Sequence, residues 1–551
     1  MVRRSRWRRI AAWLIGLLAA GLVFWAADVF SHGFRTAGGV ANLFVAVNAA
    51  LSAVQTLQGL SWDSADLLAG AVAVLVAVLG WWYYLLGRPQ RSGEEHGSAR
   101  WGRPRDLQPL LNKNPERNLW FAQQVGLNLD RAKRPEHQRN LNVLALGASG
   151  SGKSRYFLAP NLIRGLASGL VVDPKGELLA MTGAALEKAG YRIRVLNLVD
   201  FAASDGFNPL SYLRPGHAPE DVALLVRNII TNTTVEDRTG GDPFWERAES
   251  ALMTALIGFV VATYPKPERH LGSVMDLLGQ MHATGDHHGP SPVDAMFAAA
   301  ENHAATNELL GFAINQYRVY GQAAEKTAAS IIVTAAARLA PLHIPAVRQL
   351  LATDGLGIDE VGFTPTMLYL VISDADKQFS WLAATVFTTF FQRSIWLADQ
   401  QPDRQLPTPV MCWMDEFANI GRIPDFEVLA ATIRSRGISF IACVQDIGQG
   451  KRLYKDGWTS IVGNCDTILF LGSGDSDTRK WVSERLGKET IRTVDTSTSQ
   501  GRGGGSWQRK TIGRELMSAD EIGRLPGNQA IVMIRGIPPL RAKKLPPIPA
   551  R

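Results

Sequence analysis

A glycine-rich loop at residues 147–154 carries the clearest chemical signal in the chain. Its sequence, GASGSGKS, matches the GxxxxGK[ST] pattern of phosphate-binding loops, and it follows the apolar run LNVLAL. Glycines let the backbone turn so that its N–H groups face phosphate oxygens, and a helix that begins there adds its positive end. We expect Lys153 to neutralise the β- and γ-phosphates of ATP and Ser154 to bind Mg²⁺. The predicted nucleotide-binding set is Gly147, Ala148, Ser149, Gly150, Ser151, Gly152, Lys153, Ser154 and Arg155.

Two acidic residues follow a second apolar run, VMCWM at 410–414. We expect Asp415 to hold Mg²⁺ together with Ser154, and Glu416 to orient and activate the attacking water. The alternative is a strand that ends in an acidic helix start. The glycine-rich loop favours the metal site, so the pair extends a predicted nucleotide site into a predicted hydrolytic one.

Further polar residues lie beside other apolar runs. Gln445 closes ISFIACV at 438–444, where its amide could sense the γ-phosphate or position water, the alternative being a turn residue. Arg434 and Arg436 precede that run. Ring ATPases need an arginine supplied across a subunit boundary, so either could serve, whereas a solvated arginine is the alternative. DPKGE at 173–177 is expected at the carboxyl edge of a sheet or, alternatively, as a helix N-cap.

Short apolar runs alternate with helical patterns through much of the chain after Gly97. This alternation predicts an α/β fold with a mostly parallel sheet covered by helices on both faces. The predicted strands are 141–147, 169–173, 191–198, 367–373, 410–414, 438–444, 467–472 and 529–535. The predicted P-loop ATPase domain comprises residues 96–212 and 351–536.

The stretch 213–350 interrupts this alternation because it is rich in Ala, Leu and Glu and has no strand-like run. It is predicted to be an all-α insert domain, with helices at 219–232, 244–263, 305–319 and 321–340. Residues 493–511 are rich in Ser, Thr and Gly, a composition that indicates a flexible loop. Residues 537–551 form a proline-rich, basic tail that is expected to be extended.

Two uncharged runs near the N-terminus, 10–27 and 67–86, approach the ~20 residues that cross a bilayer. Five arginines precede the first run, five follow the second within 88–105, and only Arg35 lies between them. Because positive flanks stay inside, residues 1–95 are predicted to be an anchor with spans near 10–30 and 67–86 and an outer loop at 31–66. A cleaved signal peptide is the alternative for the first run. Residues 40–57 are expected to form an amphipathic helix on the outer surface.

Composition agrees with a membrane-anchored, multidomain protein in a reducing compartment. The chain has 551 residues, a net charge of +8 and a pI near 9.4, which permits contact with nucleic acid without demanding it. Its three cysteines form no CxxC pair and lie in or beside apolar runs, so we expect buried thiols and not a disulfide framework.

Several blocks together make the chain resemble the TraG/TraD family of type IV secretion coupling proteins, the membrane ATPases of bacterial conjugation. DPKGE, the DEF–GRIP block and the RSRGISF–QD block are much more specific than the phosphate-binding loop. The matching blocks are HGSARWG (96–102), GASGSGKS (147–154), VVDPKGEL (171–178), FNPL (207–210), GDPFWERAE (241–249), MDEFANIGRIP (414–424), ATIRSRGISFIACVQD (431–446), the stretch from GNCDTILFLGSGDSDT to ERLGKET (463–490) and SADEIGRLPGNQAIVMIRG (518–536).

The resemblance implies an inner- or plasma-membrane ATPase that uses ATP and Mg²⁺, has a RecA/FtsK/HerA-like P-loop domain and assembles as a homo-hexameric ring. Such proteins recruit the relaxase with its single-stranded DNA and pass it to the secretion channel, and their helical insert takes part in substrate recognition. By analogy, Arg434 would be the arginine finger and Gln445 the sensor. Protein effectors in place of DNA, a docking receptor with little turnover, and an FtsK-like chromosome translocase are the alternatives. The short tail argues against accessory proteins docking through a long acidic C-terminus.

Overall fold

The structure is a computed structural model that describes residues 3–86, 93–234, 243–282, 290–373, 376, 378–497 and 506–548. The chain divides into two compact units. The first comprises Met1–Ser98 and Thr490–Gly513, and the second comprises Ala99–Glu489 and Arg514–Arg551.

The described residues form thirteen strands and nineteen α-helices. The strands are β1 (Asn118–Ala122), β2 (Val125–Asn128), β3 (Val143–Leu146), β4 (Ser168–Pro174), β5 (Arg192–Asn197), β6 (Thr366–Ile372), β7 (Val410–Met414), β8 (Ile438–Val444), β9 (Thr467–Phe470), β10 (Lys488–Ser497), β11 (Ser506–Glu515), β12 (Gln529–Ile534) and β13 (Leu540–Lys543). The helices are α1 (Arg3–Thr36), α2 (Leu43–Gln55), α3 (Ser64–Leu86), α4 (Pro104–Leu107), α5 (Ala159–Leu162), α6 (Glu177–Lys188), α7 (Ala218–Thr233), α8 (Pro243–Thr263), α9 (Leu271–Gly279), α10 (Pro292–Ala300), α11 (Glu308–Tyr320), α12 (Glu325–Leu339), α13 (Pro345–Ala352), α14 (Ser380–Asp399), α15 (Phe426–Thr432), α16 (Ile447–Tyr454), α17 (Gly457–Gly463), α18 (Ser476–Leu486) and α19 (Ala519–Gly523).

The second unit is built on a nine-stranded sheet in the order β13-β12-β9-β3-β8-β7-β4-β6-β5. The seven strands from β9 to β5 are parallel, whereas β12 pairs antiparallel with both β9 and β13. The interior strand β3 aligns Leu146 with Val444 of β8 on one side and with Phe470 of β9 on the other. The eight strands predicted from apolar runs are therefore confirmed, and so is the α/β fold class.

Helices cover the sheet on both faces, as the apolar character of the strands predicts. Successive side chains of β3 enter two different cores, because neighbouring residues of a strand point to opposite faces. Leu144 and Leu146 belong to the core under α7, α8 and α14, whereas Val143 and Ala145 belong to the core under α5 and α6. Burial on both faces explains why these strands are continuously apolar.

Residues 218–352 fold as seven α-helices and short 3₁₀ turns, and their described part contains no strand. The helices α9, α10 and α13 have no counterpart among the predicted helices, because each is only eight or nine residues long. A buried ion pair joins α12 to α8, with the Arg338 guanidinium 2.6 and 3.0 Å from the two Glu249 carboxylate oxygens. The same guanidinium caps the end of α7 through the Ile230 carbonyl at 3.1 Å.

The prediction of a flexible loop at 493–511 is wrong for most of this segment. Strands β10 and β11 form a separate two-stranded ribbon, and only residues 498–505 lie outside the described part of the chain. The composition is rich in Ser, Thr and Gly, but Thr490, Ile491, Thr493, Val494 and Thr496 are β-branched, a residue class that favours strands. Strand propensity therefore outweighs the polar composition here.

The first unit contains the N-terminal helices. Two helices among the described residues, Ile15–Thr36 and Ser64–Tyr83, are long and apolar enough to cross a membrane. The helix expected within 40–57 is present as α2, after a 3₁₀ turn at Gly39–Asn42. Its small residues Ala46, Ala50 and Ala53 are buried, whereas Leu43 and Phe44 are exposed.

A buried carboxylate joins the C-terminal end of α1 to the N-terminal end of α3. Asp66 is fully buried and accepts hydrogen bonds from Ser31 at 2.6 Å, from Arg35 at 2.8 Å and from His32 at 3.0 Å. These contacts favour a helical backbone beyond residue 30, so α1 continues to Thr36. The connection between the two long helices is consequently shorter than the predicted 31–66.

Candidate functional site

The residues predicted to do chemistry follow four neighbouring strands of the sheet. The loop that contains Lys153 follows β3, Gln445 follows β8, Asp415 and Glu416 follow β7, and Asp173 lies at the end of β4. These strands are parallel and adjacent in the order β3-β8-β7-β4, so their carboxyl ends lie at one edge. Ligands of open parallel sheets bind at this edge.

Glycines give the loop at 147–154 its shape. Gly150 and Gly152 have φ values of +75° and +85°, which disfavour other residue types. A Cβ atom on Gly147 would lie 2.3 Å from the Ser151 hydroxyl oxygen. Within the described part of the chain, the backbone N–H groups of Gly150 and Gly152 donate no hydrogen bond. The loop therefore presents free donors, which suit an anionic ligand.

The helix after this loop begins with an irregular turn. Ser154–Leu158 is a π-helix that continues into α5. Pro160, within α5, has no N–H and cannot donate to the carbonyl of Tyr156, four residues earlier. Wide π turns are frequent at functional sites, and this one places the Ser154 side chain toward β7. Arg155 is exposed, with its guanidinium 5.9 Å from the centre of the Tyr156 ring.

The ammonium group of Lys153 is almost fully buried, with 6% of the side chain exposed. It donates a hydrogen bond to the Gly147 carbonyl at 2.8 Å and lies 3.4 Å from the Glu416 carboxylate. The lysine and the glutamate predicted from separate motifs are thus brought together. A cation held between the loop and Glu416 is placed to meet the phosphate chain of a nucleotide.

Ser154 and Asp415 are in direct contact, since the serine hydroxyl donates a hydrogen bond to one carboxylate oxygen of Asp415. The other oxygen, Oδ1, is buried without a hydrogen-bond partner among the described residues. Burial raises the pKa of Asp415 to about 6, although Ser154 and Lys153 oppose the shift. A hydroxyl, a carboxylate and an unsatisfied buried oxygen form a donor set that fits Mg²⁺.

Glu416 has a left-handed backbone, with φ of 58°. This conformation is uncommon for a residue other than glycine and costs free energy, and such strain clusters at functional sites. Its two carboxylate oxygens each accept a hydrogen bond of 3.1 Å from the Gln445 side-chain amide. Gln445 thus holds the carboxylate that faces Lys153.

The two arginines before β8 have different environments. Arg436 forms a bidentate ion pair with Asp399, at 3.0 and 2.9 Å. Arg434 is exposed, and its side chain has no hydrogen bond or ion pair in the described part of the chain. Of the two candidates, only Arg434 has a guanidinium available to another molecule.

Asp173 caps the N-terminus of a helix, which is the alternative role expected for DPKGE. Its carboxylate accepts hydrogen bonds from the backbone N–H groups of Leu178 at 3.0 Å and Leu179 at 2.7 Å, so it caps the start of α6. Burial raises the pKa of Asp173, and its negative charge also raises the pKa of Asp415. It belongs to the electrostatic surroundings of the site without contacting Lys153.

Two residues near the site could not be predicted from any sequence motif. Asn232 at the end of α7 accepts a hydrogen bond from the Arg422 N–H at 2.7 Å and donates to the Arg422 carbonyl at 2.9 Å, fixing the loop after Glu416. Lys544, in the segment predicted as an extended tail, donates a hydrogen bond to the Ser151 carbonyl at 2.8 Å. Both contacts join residues far apart in sequence, and no short motif encodes them.

Comparison with known proteins assigns this architecture to a family. Residues 110–546 match the family described as Type IV secretory system Conjugative DNA transfer. The chain belongs to this family. The resemblance to coupling proteins is thereby confirmed by most of the chain and not only by the phosphate-binding loop.

Characterised members of the family are distant in sequence. VirD4 of Agrobacterium fabrum is 22% identical over 83% of this chain and 66% of its own length. The conjugal transfer protein TraG of Escherichia coli is 25% identical over 83% of this chain and 76% of its own length. The chain thus spans about two thirds to three quarters of these relatives.

Solved structures of a coupling protein share the fold. The unbound form of TrwBdeltaN70, a bacterial conjugative coupling protein, superposes with a TM-score of 0.59 at 14% identity, covering 81% of this chain and 92% of that one. TrwB in complex with the non-hydrolysable ATP analogue ADPNP gives a TM-score of 0.56 at 14% identity, covering 83% and 97%. At this identity the likeness establishes the fold.

Proposed function

We propose that the chain is a membrane-anchored, ATP-hydrolysing coupling protein of a conjugative type IV secretion system. It recruits a relaxase with its single-stranded DNA and drives this substrate to or through the secretion channel. The observation that carries the proposal is the contact between Ser154 and Asp415 beside Lys153 and Glu416, in a chain of the conjugative DNA transfer family.

In the proposed hydrolysis, the site residues have three roles: nucleotide binding, metal coordination and proton transfer. The free N–H groups of the loop and the ammonium of Lys153 bind the phosphates of ATP, while Ser154 and Asp415 hold Mg²⁺. The metal, when bound, neutralises charge that develops on the phosphates. Glu416 accepts the proton of the attacking water, and Gln445 keeps its carboxylate in place.

Nucleotide complexes of a fold relative support these cofactors. TrwB has been solved with ADP and Mg²⁺ and with ADPNP. The unsatisfied oxygen of Asp415 and the free donors of the glycine loop are the features of this chain that match such ligands.

The proposal includes a homo-hexameric ring in which Arg434 stabilises transition-state charge in the neighbouring subunit. The support is that Arg434 is exposed, whereas Arg436 is paired with Asp399. Mixing the inactive variants Arg434→Ala and Glu416→Gln tests this arrangement. Some mixed interfaces pair an intact arginine with an intact glutamate, so co-assembled mixtures regain turnover; no recovery in such mixtures would contradict it.

The proposed location is the bacterial inner membrane, with both spans inserted and the second unit in the cytoplasm. The helical stretch 213–350 then faces the substrate, as the resemblance to coupling proteins implies. Two apolar helices of sufficient length and a positively charged flank on each side support the orientation.

DNA transfer in the host that carries this gene tests the function directly. A deletion strain is complemented with the natural chain, with Lys153→Ala, or with a control, Lys188→Ala, at an exposed lysine of α6. The natural chain and the control restore conjugative transfer, and Lys153→Ala does not. Restoration by Lys153→Ala, or secretion of protein effectors without DNA transfer in the complemented strain, would overturn the proposal.

A further inference from the structure

A second lysine lies against the glycine-rich loop. Lys544 directly follows β13, and only 6% of it is exposed. Its ammonium donates hydrogen bonds to the Ser151 carbonyl at 2.8 Å and to the Leu471 carbonyl at 2.9 Å, and it lies 5.9 Å from the centre of the Tyr156 ring. Ser151 is part of the predicted phosphate-binding set, so the C-terminal segment contacts the loop itself.

The position of Lys544 is fixed by its backbone. Its N–H donates to the Asn528 carbonyl at 2.8 Å, and its carbonyl accepts from the Gln123 side chain at 3.1 Å. The preceding carbonyl, of Lys543, accepts from the Gln123 N–H at 2.8 Å. The long side chain therefore starts from a defined point, which lowers the entropic cost of holding its ammonium against the loop.

The contact with Ser151 orients the next peptide group. In a planar trans peptide, the C=O of one residue and the N–H of the next point in opposite directions. With its carbonyl bound to Lys544, Ser151 therefore turns the Gly152 N–H away from the lysine. That N–H donates no hydrogen bond among the described residues, so it is a free donor of the loop.

Electrostatics give Lys544 a second effect. No carboxylate of the described residues forms an ion pair with it, so its buried charge is balanced by two carbonyl dipoles and the Tyr156 ring, without a negative charge. A buried cation without a counter-charge is costly. A phosphate chain bound to the same loop supplies negative charge nearby, so nucleotide binding and the burial of Lys544 favour each other.

We propose that Lys544 is a positioning residue of the nucleotide site, holding the Ser151–Gly152 peptide in the phosphate-binding orientation and adding positive charge beside it. Its ligand class is a nucleoside di- or triphosphate. The inference rests on the proposed function, because it assigns Lys544 to the same site.

Nucleotide affinity of the full-length protein in detergent tests the inference, with a fluorescent ADP analogue titrated to equilibrium. Lys544→Met removes the charge and the donors, and Lys544→Gln removes the charge but keeps an amide donor on a shorter side chain. Lys543→Met is the matched control, because the Lys543 side chain is exposed on the adjacent residue. Melting of the nucleotide-free proteins separates a loss of folding from a loss of binding.

We expect both Lys544 variants to bind the analogue at least about ten-fold more weakly, the range of a lost hydrogen bond to a charged group. The KM for ATP rises more than kcat falls, because the contact exists before and during the reaction. The control stays within about two-fold of the natural chain.

Folded Lys544 variants that bind as tightly as the natural chain would overturn the inference and leave the proposed function intact. A fall in binding that only matches the loss of folded protein would also overturn it, since the lysine would then serve stability alone. A natural chain that binds no nucleotide would instead contradict the proposed function.

Discussion

The carboxylate of Asp415 is held in a state that disfavours its charge. One oxygen bonds to Ser154, the other is buried without a partner, and burial raises the pKa to about 6 from an ordinary value of 3.8. In the absence of ligand, the folded chain therefore favours the protonated acid more than the unfolded chain does. The cost of ionisation appears as pH rises from about 4 to 6, and it is fully present above pH 6.

Asp415→Asn removes this cost, so we expect the nucleotide-free variant to be more stable than the natural chain at pH 8. The rise in the pKa of Asp415 from 3.8 to about 6 corresponds to about 3 kcal/mol in the free energy of unfolding. The difference shrinks as pH is lowered from 6 to 4. Thermal unfolding at both ends of this range in EDTA measures it, with the exposed Asp456→Asn as control. Equal melting temperatures at pH 8 would contradict the assigned environment.

Glu416→Gln tests the proposed base. Glutamine keeps the size of the side chain but cannot accept the proton of water, so we expect kcat for ATP hydrolysis to fall by about 10²- to 10⁴-fold. Nucleotide binding is retained, since Lys153 and the loop are intact. Steady-state turnover and equilibrium binding are compared with Glu484→Gln, an exposed glutamate of α18. Turnover that matches this control would exclude the role.

The site residues that directly follow apolar strands were predictable from the sequence. Those that reach the site only through contacts between distant segments were not. Lys153, Asp415 and Gln445 follow three adjacent parallel strands, so reading the apolar runs correctly was enough to bring them together. Lys544 contacts Ser151 only because β13 pairs at the edge of the sheet. A basic residue in a proline-rich segment gives no such signal.

At the scale of the element, α6 depends on one buried carboxylate. Asp173 accepts from two N–H groups at the start of the helix, and no water can replace it at 1% exposure. We expect Asp173→Ala to lower the free energy of unfolding by about 1 to 3 kcal/mol. Thermal melting measures the loss. Glu177→Gln, on the exposed side of the same turn, changes stability by no more than a few tenths of a kcal/mol; an equal loss in both variants would contradict the capping role.

Elements buried on both faces were predictable, and elements defined by pairing were not. Strands β3, β4, β6, β7, β8 and β9 of the large sheet carry apolar runs because both faces are covered, whereas the edge strand β5 is only partly buried. The β1-β2 hairpin and the β10-β11 ribbon are separate two-stranded sheets, and neither was among the strands predicted from apolar runs. Most of the β10-β11 ribbon was therefore wrongly predicted to be a flexible loop.

At the scale of the whole molecule, the membrane orientation can be tested with single cysteines. The natural thiols Cys412, Cys443 and Cys465 are buried, and burial raises their pKa values, so they give little background labelling. We expect Gln58→Cys to react with an impermeant maleimide in cells whose outer envelope is permeabilised while the inner membrane stays sealed. Lys113→Cys, also exposed, reacts only after lysis. The reverse pattern would contradict the proposed orientation.

ATP turnover by the full-length protein, with and without single-stranded DNA, tests the proposed function of this site most directly. We expect the natural chain to hydrolyse ATP in the presence of Mg²⁺ and to do so faster when DNA is added. Lys153→Ala, which removes the cation between the loop and Glu416, abolishes both the basal and the stimulated rate, while Lys188→Ala leaves both unchanged. Undiminished turnover by Lys153→Ala would contradict the assignment of this site as the one that hydrolyses ATP.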